Sequence, residues 1–136
     1  MQNKTLPEIR PRILLVDDDP EITFTFKLGL EDHGFYVDTY NNPILVLSNY
    51  KSGFYDLLLL DIRMHIMDGF ELYREIRKID ANVKVCFITA YEINNDDFKK
   101  SFPEMALKYF IKKPVTIENL AKILDQKLSE DLAITG

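Results

Sequence analysis

The sequence predicts an α/β domain in which five parallel strands form a doubly wound sheet with helices on both faces. Two observations predict this fold. Short apolar runs that suit buried strands alternate along the chain with segments whose apolar residues recur at helical spacing. The helical segments open on proline or on residues that cap helices. Strands and helices that alternate in this way are typical of a parallel sheet covered by helices.

Five segments are predicted to be strands. Residues 12–16 form a short apolar run bounded by charge, and residues 57–60 are four leucines between Asp56 and Asp61. The other three predicted strands are residues 35–40, 83–89 and 109–111. Runs this short and this apolar fit strands that are buried on both faces, and none is long enough to span a membrane.

Helices are predicted between and after the strands. Four of them open on a capping signal, at Asp19-Pro20, Asn41-Asn42-Pro43, Asp68-Gly69 and Thr116. The first is predicted to stop at Gly34, and a weak additional helix is predicted over residues 94–102, before Pro103. The buried stripe predicted for the last helix is Leu120, Ile123, Leu124 and Leu128. We therefore interpret Asp19 and Asp68 as helix caps.

Length and composition indicate one globular domain. The chain has 136 residues, of which 46% are hydrophobic and 29% charged, so a disordered protein is excluded. We predict a domain over residues 12–128, preceded by an N-terminal extension (1–11) and followed by a C-terminal tail (129–136). A net charge of −5 without a basic stripe gives no support for direct binding of nucleic acid.

No segment indicates export or a membrane. Residues 1–11 are polar and broken by Pro7 and Pro11, so they lack the apolar core of a signal peptide. Cys86 is the only cysteine, which excludes an intrachain disulfide framework, and its apolar strand indicates an inert core residue. We expect a cytoplasmic protein that has no contact with a membrane.

Polar residues stand where the predicted strands end. Asp17 and Asp18 follow the first strand, Asp61 the third, Thr89 ends the fourth, and Lys113 follows the fifth. In an open doubly wound sheet, the functional crevice lies beyond the carboxyl ends of the strands. We therefore expect these five side chains to converge at one rim of the sheet.

Charge decides what such a cluster can do. Two like charges about 4 Å apart repel by about 4 kcal/mol at an effective dielectric constant of about 20. Three aspartates and one lysine must therefore bind a cation, take up a proton or lower the stability of the fold. Hard oxygen ligands in a cluster suit Mg²⁺. An aspartate carboxylate can attack phosphorus, while Lys113 and Thr89 are the groups available to stabilise the transferred oxygens. The cluster predicts a site that accepts a phosphoryl group.

Four segments between about residues 12 and 128 resemble the receiver domains of two-component response regulators. They are ILLVDDDPEI (13–22), DLLLLDIRMHIMDGFEL (56–72), FITAY (87–91) and YFIKKPV (109–115). The resemblance implies a flavodoxin-like sheet with strand order 2-1-3-4-5. It also implies a single-domain signalling switch in a phosphorelay, which is not an enzyme in the usual sense but assists its own phosphorylation and dephosphorylation.

The resemblance implies a role for each polar residue. Asp61 would accept the phosphoryl group from a sensor histidine kinase, a phosphotransfer protein or a small phosphodonor. Mg²⁺, or Mn²⁺, would be held by Asp17, Asp18, Asp61 and the backbone carbonyl of Arg63. Lys113 would be the conserved cation, and Thr89 and Phe110 would be the switch residues. The phosphorylated domain would then change its affinity for an unidentified downstream protein.

Three positions depart from the family pattern. His65 stands where these domains usually carry proline, and Phe110 lacks the hydroxyl group of a tyrosine. The stretch 92–108 is irregular and contains Pro103. We interpret His65 as an exposed loop histidine, with metal ligation or electrostatic tuning of the site as the alternative. His33 is interpreted as a surface residue near a helix end.

Other functions are weighed beside this one. A magnesium-dependent phosphatase of the haloacid-dehalogenase type would use Asp17 as nucleophile and Asp19 as acid/base, but Asp19 precedes proline and no cap insertion is present. A binding module that keeps the fold without switching is disfavoured by the complete set of polar residues. A flavin-binding protein of this fold is also disfavoured, since the acidic loop after the first strand repels a bound phosphate.

Overall fold

The structure is a computed structural model that describes residues 9–90 and 110–130. Within these ranges the chain forms five strands and four helices. The strands are β1 (Arg12–Val16), β2 (Tyr36–Tyr40), β3 (Leu57–Asp61), β4 (Lys84–Thr89) and β5 (Phe110–Lys112). The helices are α1 (Pro20–Asp32), α2 (Pro43–Asn49), α3 (Gly69–Ile79) and α4 (Ile117–Ser129). The helix predicted over residues 94–102 lies outside the described residues.

All five strands are parallel, in the order β2-β1-β3-β4-β5. This confirms the predicted fold class and strand order, and each described strand lies within one residue of its predicted bounds. Val16 at the end of β1 is paired with Leu60 of β3, and Asp61 is paired with Ile88 of β4. The ends of β1, β3 and β4 therefore lie side by side at one rim, which is where the site residues begin.

The two faces of the sheet bury two separate apolar layers. On one face, Ile13, Leu15, Leu57 and Leu59 pack with residues of α1 and α4. On the other face, Leu14, Val16, Leu58 and Leu60 pack with residues of α2 and α3. All four leucines of β3 are fully buried, and burying one such side chain stabilises the fold by roughly 1.5–3 kcal/mol. The site is thus built on the most deeply buried strands.

The predicted helix caps are confirmed at all four described helix starts. The side chains of Asp19, Asn42 and Thr116 accept hydrogen bonds from the backbone N–H of Glu21, Ile44 and Asn119. Asp68 forms a reciprocal capping box with Glu71, in which each side chain accepts from the other residue's backbone. Asp19 and Asp68 therefore serve the helices, as the sequence indicates.

The buried face of α4 differs from the predicted stripe. Leu120 and Leu124 are buried as predicted, but Ile123 and Leu128 are only half-buried. Ala121 and Lys127 are buried in their place. Ile123 and Leu128 still pack against the core as partly buried residues, while the long side chain of Lys127 is buried with its ammonium group 3.8 Å from Glu130.

Two further predictions concern single residues and membrane spans. Cys86 is fully buried, and burial raises the pKa of its thiol, which fits an inert core residue. His33 is exposed at the C-terminal cap of α1, as predicted. Among the described residues, every helix is too short or too polar to cross a membrane.

Candidate functional site

Three aspartates converge at the carboxyl rim of the sheet. Asp17 follows β1, Asp18 comes next, and Asp61 ends β3. One carboxylate oxygen from each lies within 4.8 Å of the others. Asp17 is 1% exposed and Asp61 is 6% exposed, whereas Asp18 is half-buried. The pairing of β1 with β3 brings these side chains together, as the parallel topology predicts.

Backbone contacts fix the loop that carries Asp17. The Asp19 N–H donates to Asp17 Oδ1 at 2.9 Å, and the Asn41 amide donates to the Asp17 carbonyl oxygen at 2.8 Å. The same amide nitrogen lies 3.0 Å from the Thr23 hydroxyl of α1. Asn41 was not identified from the sequence as a site residue. The sequence feature that could have identified it is its position directly after β2, at the same rim of the sheet.

Lys113 faces the aspartates from the end of β5. Its ammonium nitrogen lies 2.9 Å from Asp17 Oδ2 and 3.8 Å from Asp61 Oδ1. The backbone N–H of Lys113 donates to the carbonyl oxygen of Thr89 at 2.8 Å, which ties the end of β5 to the end of β4. The structure thus brings Lys113 to the cluster as predicted, but closer to Asp17 than to Asp61.

The two predicted switch residues lie on neighbouring strands. Thr89 is buried at the end of β4. Phe110 opens β5 and is half-buried, with its ring stacked on that of Phe87 at 5.6 Å between centroids. Phe70, at the start of α3, meets the edge of both rings. Phe110 therefore packs on the face of the sheet that α3 covers, beside the strand that carries Thr89.

The pKa values of Asp61 and Asp18 are shifted in opposite directions. Burial, and after it the charge of Asp17, raise the pKa of Asp61 to about 6 even though Lys113 offsets part of their effect. For Asp18, partial burial also raises the pKa, but the hydrogen bonds and charge from His65 outweigh burial, so its pKa is lowered. Asp61 is therefore the less stable anion, and Asp18 is held in its ionised form.

Asp61→Asn is expected to stabilise the metal-free protein by about 2 to 3 kcal/mol at neutral pH, because it removes a buried like charge. The folded-state pKa of about 6 lies above the unfolded value of 3.8, so the folded wild type holds more protons between these pH values. Its free energy of unfolding therefore falls as pH rises through this window. Urea unfolding with EDTA should show no gap between the two proteins near pH 3 and the full gap above pH 7.

The exposed carboxylate of Asp125 on α4 provides a matched control. Asp125→Asn removes one negative charge away from the cluster, so its unfolding free energy should follow that of the wild type across the same pH range. Parallel pH profiles for wild type and Asp61→Asn would show that Asp61 carries no buried-charge penalty.

The donor set at this rim fits a divalent cation. Three hard carboxylate oxygens lie close together, and one of them, on Asp61, is destabilised as an anion in the absence of a cation. The backbone of Arg63 lies beside them, since its N–H hydrogen-bonds the Asp61 carboxylate. Both oxygens of Asp17 already accept hydrogen bonds, from the Asp19 N–H and from Lys113. The three carboxylates and the backbone of Arg63 are therefore the groups that could hold a divalent cation.

His65 is exposed and also contacts the site, which agrees with the predicted exposure and with the alternative of electrostatic tuning. Its side chain is 93% exposed, which confirms the predicted exposure. Its Nδ1 nevertheless lies 2.8 Å from Asp18 Oδ2, and its backbone N–H donates to the same oxygen at 3.1 Å. Among the described residues, His65 is not one of the three whose ligand atoms lie mutually within 4.8 Å. His65 therefore contacts Asp18 without belonging to the cluster of Asp17, Asp18 and Asp61.

Known proteins are similar to this chain in sequence and fold. Residues 13–125 match the family model of the response regulator receiver domain. The transcriptional regulatory protein ZraR of Klebsiella oxytoca is 33% identical over 117 residues, which are 86% of this chain and 26% of that protein. The chain thus spans about a quarter of this relative's length.

Two solved structures show the same fold. The non-phosphorylated HemR receiver domain from Leptospira biflexa has a TM-score of 0.77 and 28% identity, covering 90% of this chain and 97% of that one. The response regulator protein TrrA from Thermotoga maritima, solved in complex with Mg²⁺-BeF, has a TM-score of 0.71 and 32% identity, covering 85% of this chain and 97% of that one.

Proposed function

The chain belongs to the receiver domain family of response regulators, and from that premise we propose that it is switched by phosphorylation of Asp61. One observation carries the proposal. Asp61 is a buried carboxylate that shares a 4.8 Å cluster with Asp17 and Asp18 and lies 3.8 Å from the ammonium group of Lys113. A nucleophile, a set of cation ligands and a positive charge thus meet at one place.

Mg²⁺, or Mn²⁺, is the proposed cofactor. Its ligands would be the carboxylates of Asp18 and Asp61 and the backbone carbonyl of Arg63, with Asp17 bound directly or through water. The relative TrrA was crystallised in complex with Mg²⁺-BeF, which supports Mg²⁺ as the cation. When bound, the cation would offset the carboxylate charge and supply positive charge to the phosphoryl oxygens.

The chemistry of transfer follows from the chain's own groups. A carboxylate oxygen of Asp61 attacks phosphorus and forms a new O–P bond. The bond from phosphorus to the donor breaks, and its electron pair leaves with the imidazole of a phosphohistidine or with acetate from acetyl phosphate. The Lys113 ammonium group and the Thr89 hydroxyl group stabilise the charge on the equatorial oxygens. The product is an aspartyl-phosphate.

The signal would leave through Thr89 and Phe110. A hydrogen bond from the Thr89 hydroxyl group to the phosphoryl group would favour one of two conformations of the domain. The ring of Phe110, on the adjacent strand, would change its position in the same transition. We place the protein in the cytoplasm, between a sensor histidine kinase or phosphotransfer protein and an unidentified downstream protein. In this scheme the domain is a signalling switch and not an enzyme with a separate substrate.

Intact mass spectrometry after incubation with acetyl phosphate and Mg²⁺ tests the proposal. We expect the wild type and Asp125→Asn to gain one phosphoryl group and Asp61→Asn to gain none, because Asp61 is the proposed phosphoacceptor and both oxygens of Asp17, the other aspartate beside Lys113, already accept hydrogen bonds. Failure of the wild type to gain mass from any donor would instead support a binding module that does not switch.

If the protein were a phosphatase of the haloacid-dehalogenase type, Asp17 and not Asp61 would be the essential aspartate. This alternative requires turnover of a phosphomonoester that is lost with Asp17→Asn and retained with Asp61→Asn. The structure disfavours it, because Asp19, which would serve as its acid/base, accepts the capping hydrogen bond from Glu21 N–H at the start of α1.

A further inference from the structure

His65 donates two hydrogen bonds to a single oxygen of Asp18. The ring Nδ1 lies 2.8 Å from Asp18 Oδ2, and the backbone nitrogen lies 3.1 Å from the same atom. A carboxylate oxygen can only accept, so the ring nitrogen carries the proton. The contact joins positions that are 47 residues apart, from the loops that follow β1 and β3.

Two donors on one oxygen hold a carboxylate in a defined orientation. A single hydrogen bond leaves the group free to swing, whereas ring and backbone donors from one residue restrict rotation about the Cβ–Cγ bond. The second oxygen, Oδ1, receives neither of these bonds and is left for a cation. Groups that hydrogen-bond a ligating carboxylate or imidazole commonly set how tightly a site binds its metal.

Packing does not explain the position of the His65 ring. Its side chain is 93% exposed, so little apolar contact holds it in place. The following residue, Ile66, has a positive φ of 77°, a conformation that costs a β-branched residue free energy and turns the loop sharply. The hydrogen bonds to Asp18 are the contacts that tie this loop to the opposite side of the site.

We propose that His65 is a positioning residue that orients Asp18 as a ligand for the divalent cation. This inference rests on the proposed function, since it assigns Asp18 to the cation, and it adds a residue outside the acidic cluster. His65 does not bind the cation. It sets the affinity of the site by fixing Asp18 Oδ2 and presenting Oδ1.

Binding of Mn²⁺ to the full chain tests the inference independently of phosphorylation. The readout is the EPR signal of free Mn²⁺, which is lost on binding, recorded at about pH 8, where free imidazole is mostly neutral. His65→Ala, which removes the ring donor, is expected to weaken binding by about 10-fold, within the range known for such supporting groups. His65→Pro removes the backbone donor as well and should bind at least as weakly.

Two further variants separate positioning from other effects. His65→Asn places an amide N–H near the position of Nδ1 and should restore binding to within a few-fold of the wild type. His33→Ala removes the only other histidine, at the end of α1, and should leave binding unchanged. Wild-type or tighter affinity in His65→Ala would overturn the inference, and so would an equal loss in His65→Asn and His65→Ala.

Asp18→Asn distinguishes failure of this inference from failure of the proposed function. If Asp18→Asn loses Mn²⁺ binding while His65→Ala keeps it, the cation site stands and only the role of His65 is wrong. If wild type and Asp18→Asn bind Mn²⁺ equally weakly, the cation site itself fails, and the role of His65 fails with it.

Discussion

Lys113→Met is expected to slow phosphorylation of Asp61 by roughly 100-fold, which is the usual cost of losing one group that stabilises transition-state charge. The variant should also be less stable without metal, by about 3 kcal/mol, because it leaves a buried carboxylate without its cation. Both effects follow from one geometry. The ammonium group lies 2.9 Å from Asp17, which is 1% exposed, and 3.8 Å from Asp61.

Lys112 gives a matched control for this variant. It precedes Lys113 and is exposed, so Lys112→Met removes one lysine from the same strand end at a solvent-facing position. The rate is measured from the time course of intact mass with acetyl phosphate, and stability from urea unfolding with EDTA. Equal rates in the two variants would show that Lys113 does not act on the phosphoryl group.

Gly69→Ala is expected to destabilise the protein by about 3 kcal/mol, at the upper end of the usual cost of overpacking. Gly69 begins α3, and a Cβ atom there would overlap the backbone oxygen of Asp61 and lie 3.1 Å from the Cα of Ile62. Main-chain atoms of a buried strand cannot move aside cheaply. The helix start must shift instead, and it would disturb the residue that we propose as phosphoacceptor.

A second glycine tests whether the backbone contact is the cause. A Cβ atom on Gly29, in α1, would lie 2.7 Å from atoms of the branched Ile117 side chain, which must then shift. The obstacle is still a side chain and not the main chain, and alanine favours the helix. Gly29→Ala should therefore cost less than Gly69→Ala in urea unfolding. Wild-type stability of Gly69→Ala would contradict the close packing of α3 on the end of β3.

Most of the described fold was predictable because its causes are local or periodic. The four leucines of β3 and the short run of β1 have the pattern of strands buried on both faces, and the structure buries them on both faces. The convergence of Asp17, Asp18 and Asp61 was predictable for a topological reason. Parallel strands end at the same rim, so residues that follow neighbouring strands meet there.

The features that the sequence did not predict depend on side-chain direction in loops or on exact helix rotation. The bond from His65 to Asp18 is formed in a loop that turns at Ile66, whose positive φ no periodic pattern reveals. The closer approach of Lys113 to Asp17 than to Asp61 reflects the balance of charges in the assembled site. Lys127 is buried on α4 because the methylene groups of a lysine can pack as apolar surface. From the sequence alone, a lysine is read as a solvent-exposed residue.

Chemical mapping of the phosphoryl group tests the central claim most directly. Borohydride reduces an aspartyl-phosphate to the alcohol and leaves free carboxylates unchanged, so the modified residue is marked permanently. Trypsin separates the candidates, since Asp61 lies in the peptide 52–63 and Asp17 and Asp18 lie in the peptide 13–27. We predict that the wild type, treated with acetyl phosphate and Mg²⁺, carries the mark at Asp61 alone. A mark at Asp17 or Asp18, or none on either peptide, would contradict the assignment of Asp61 as phosphoacceptor.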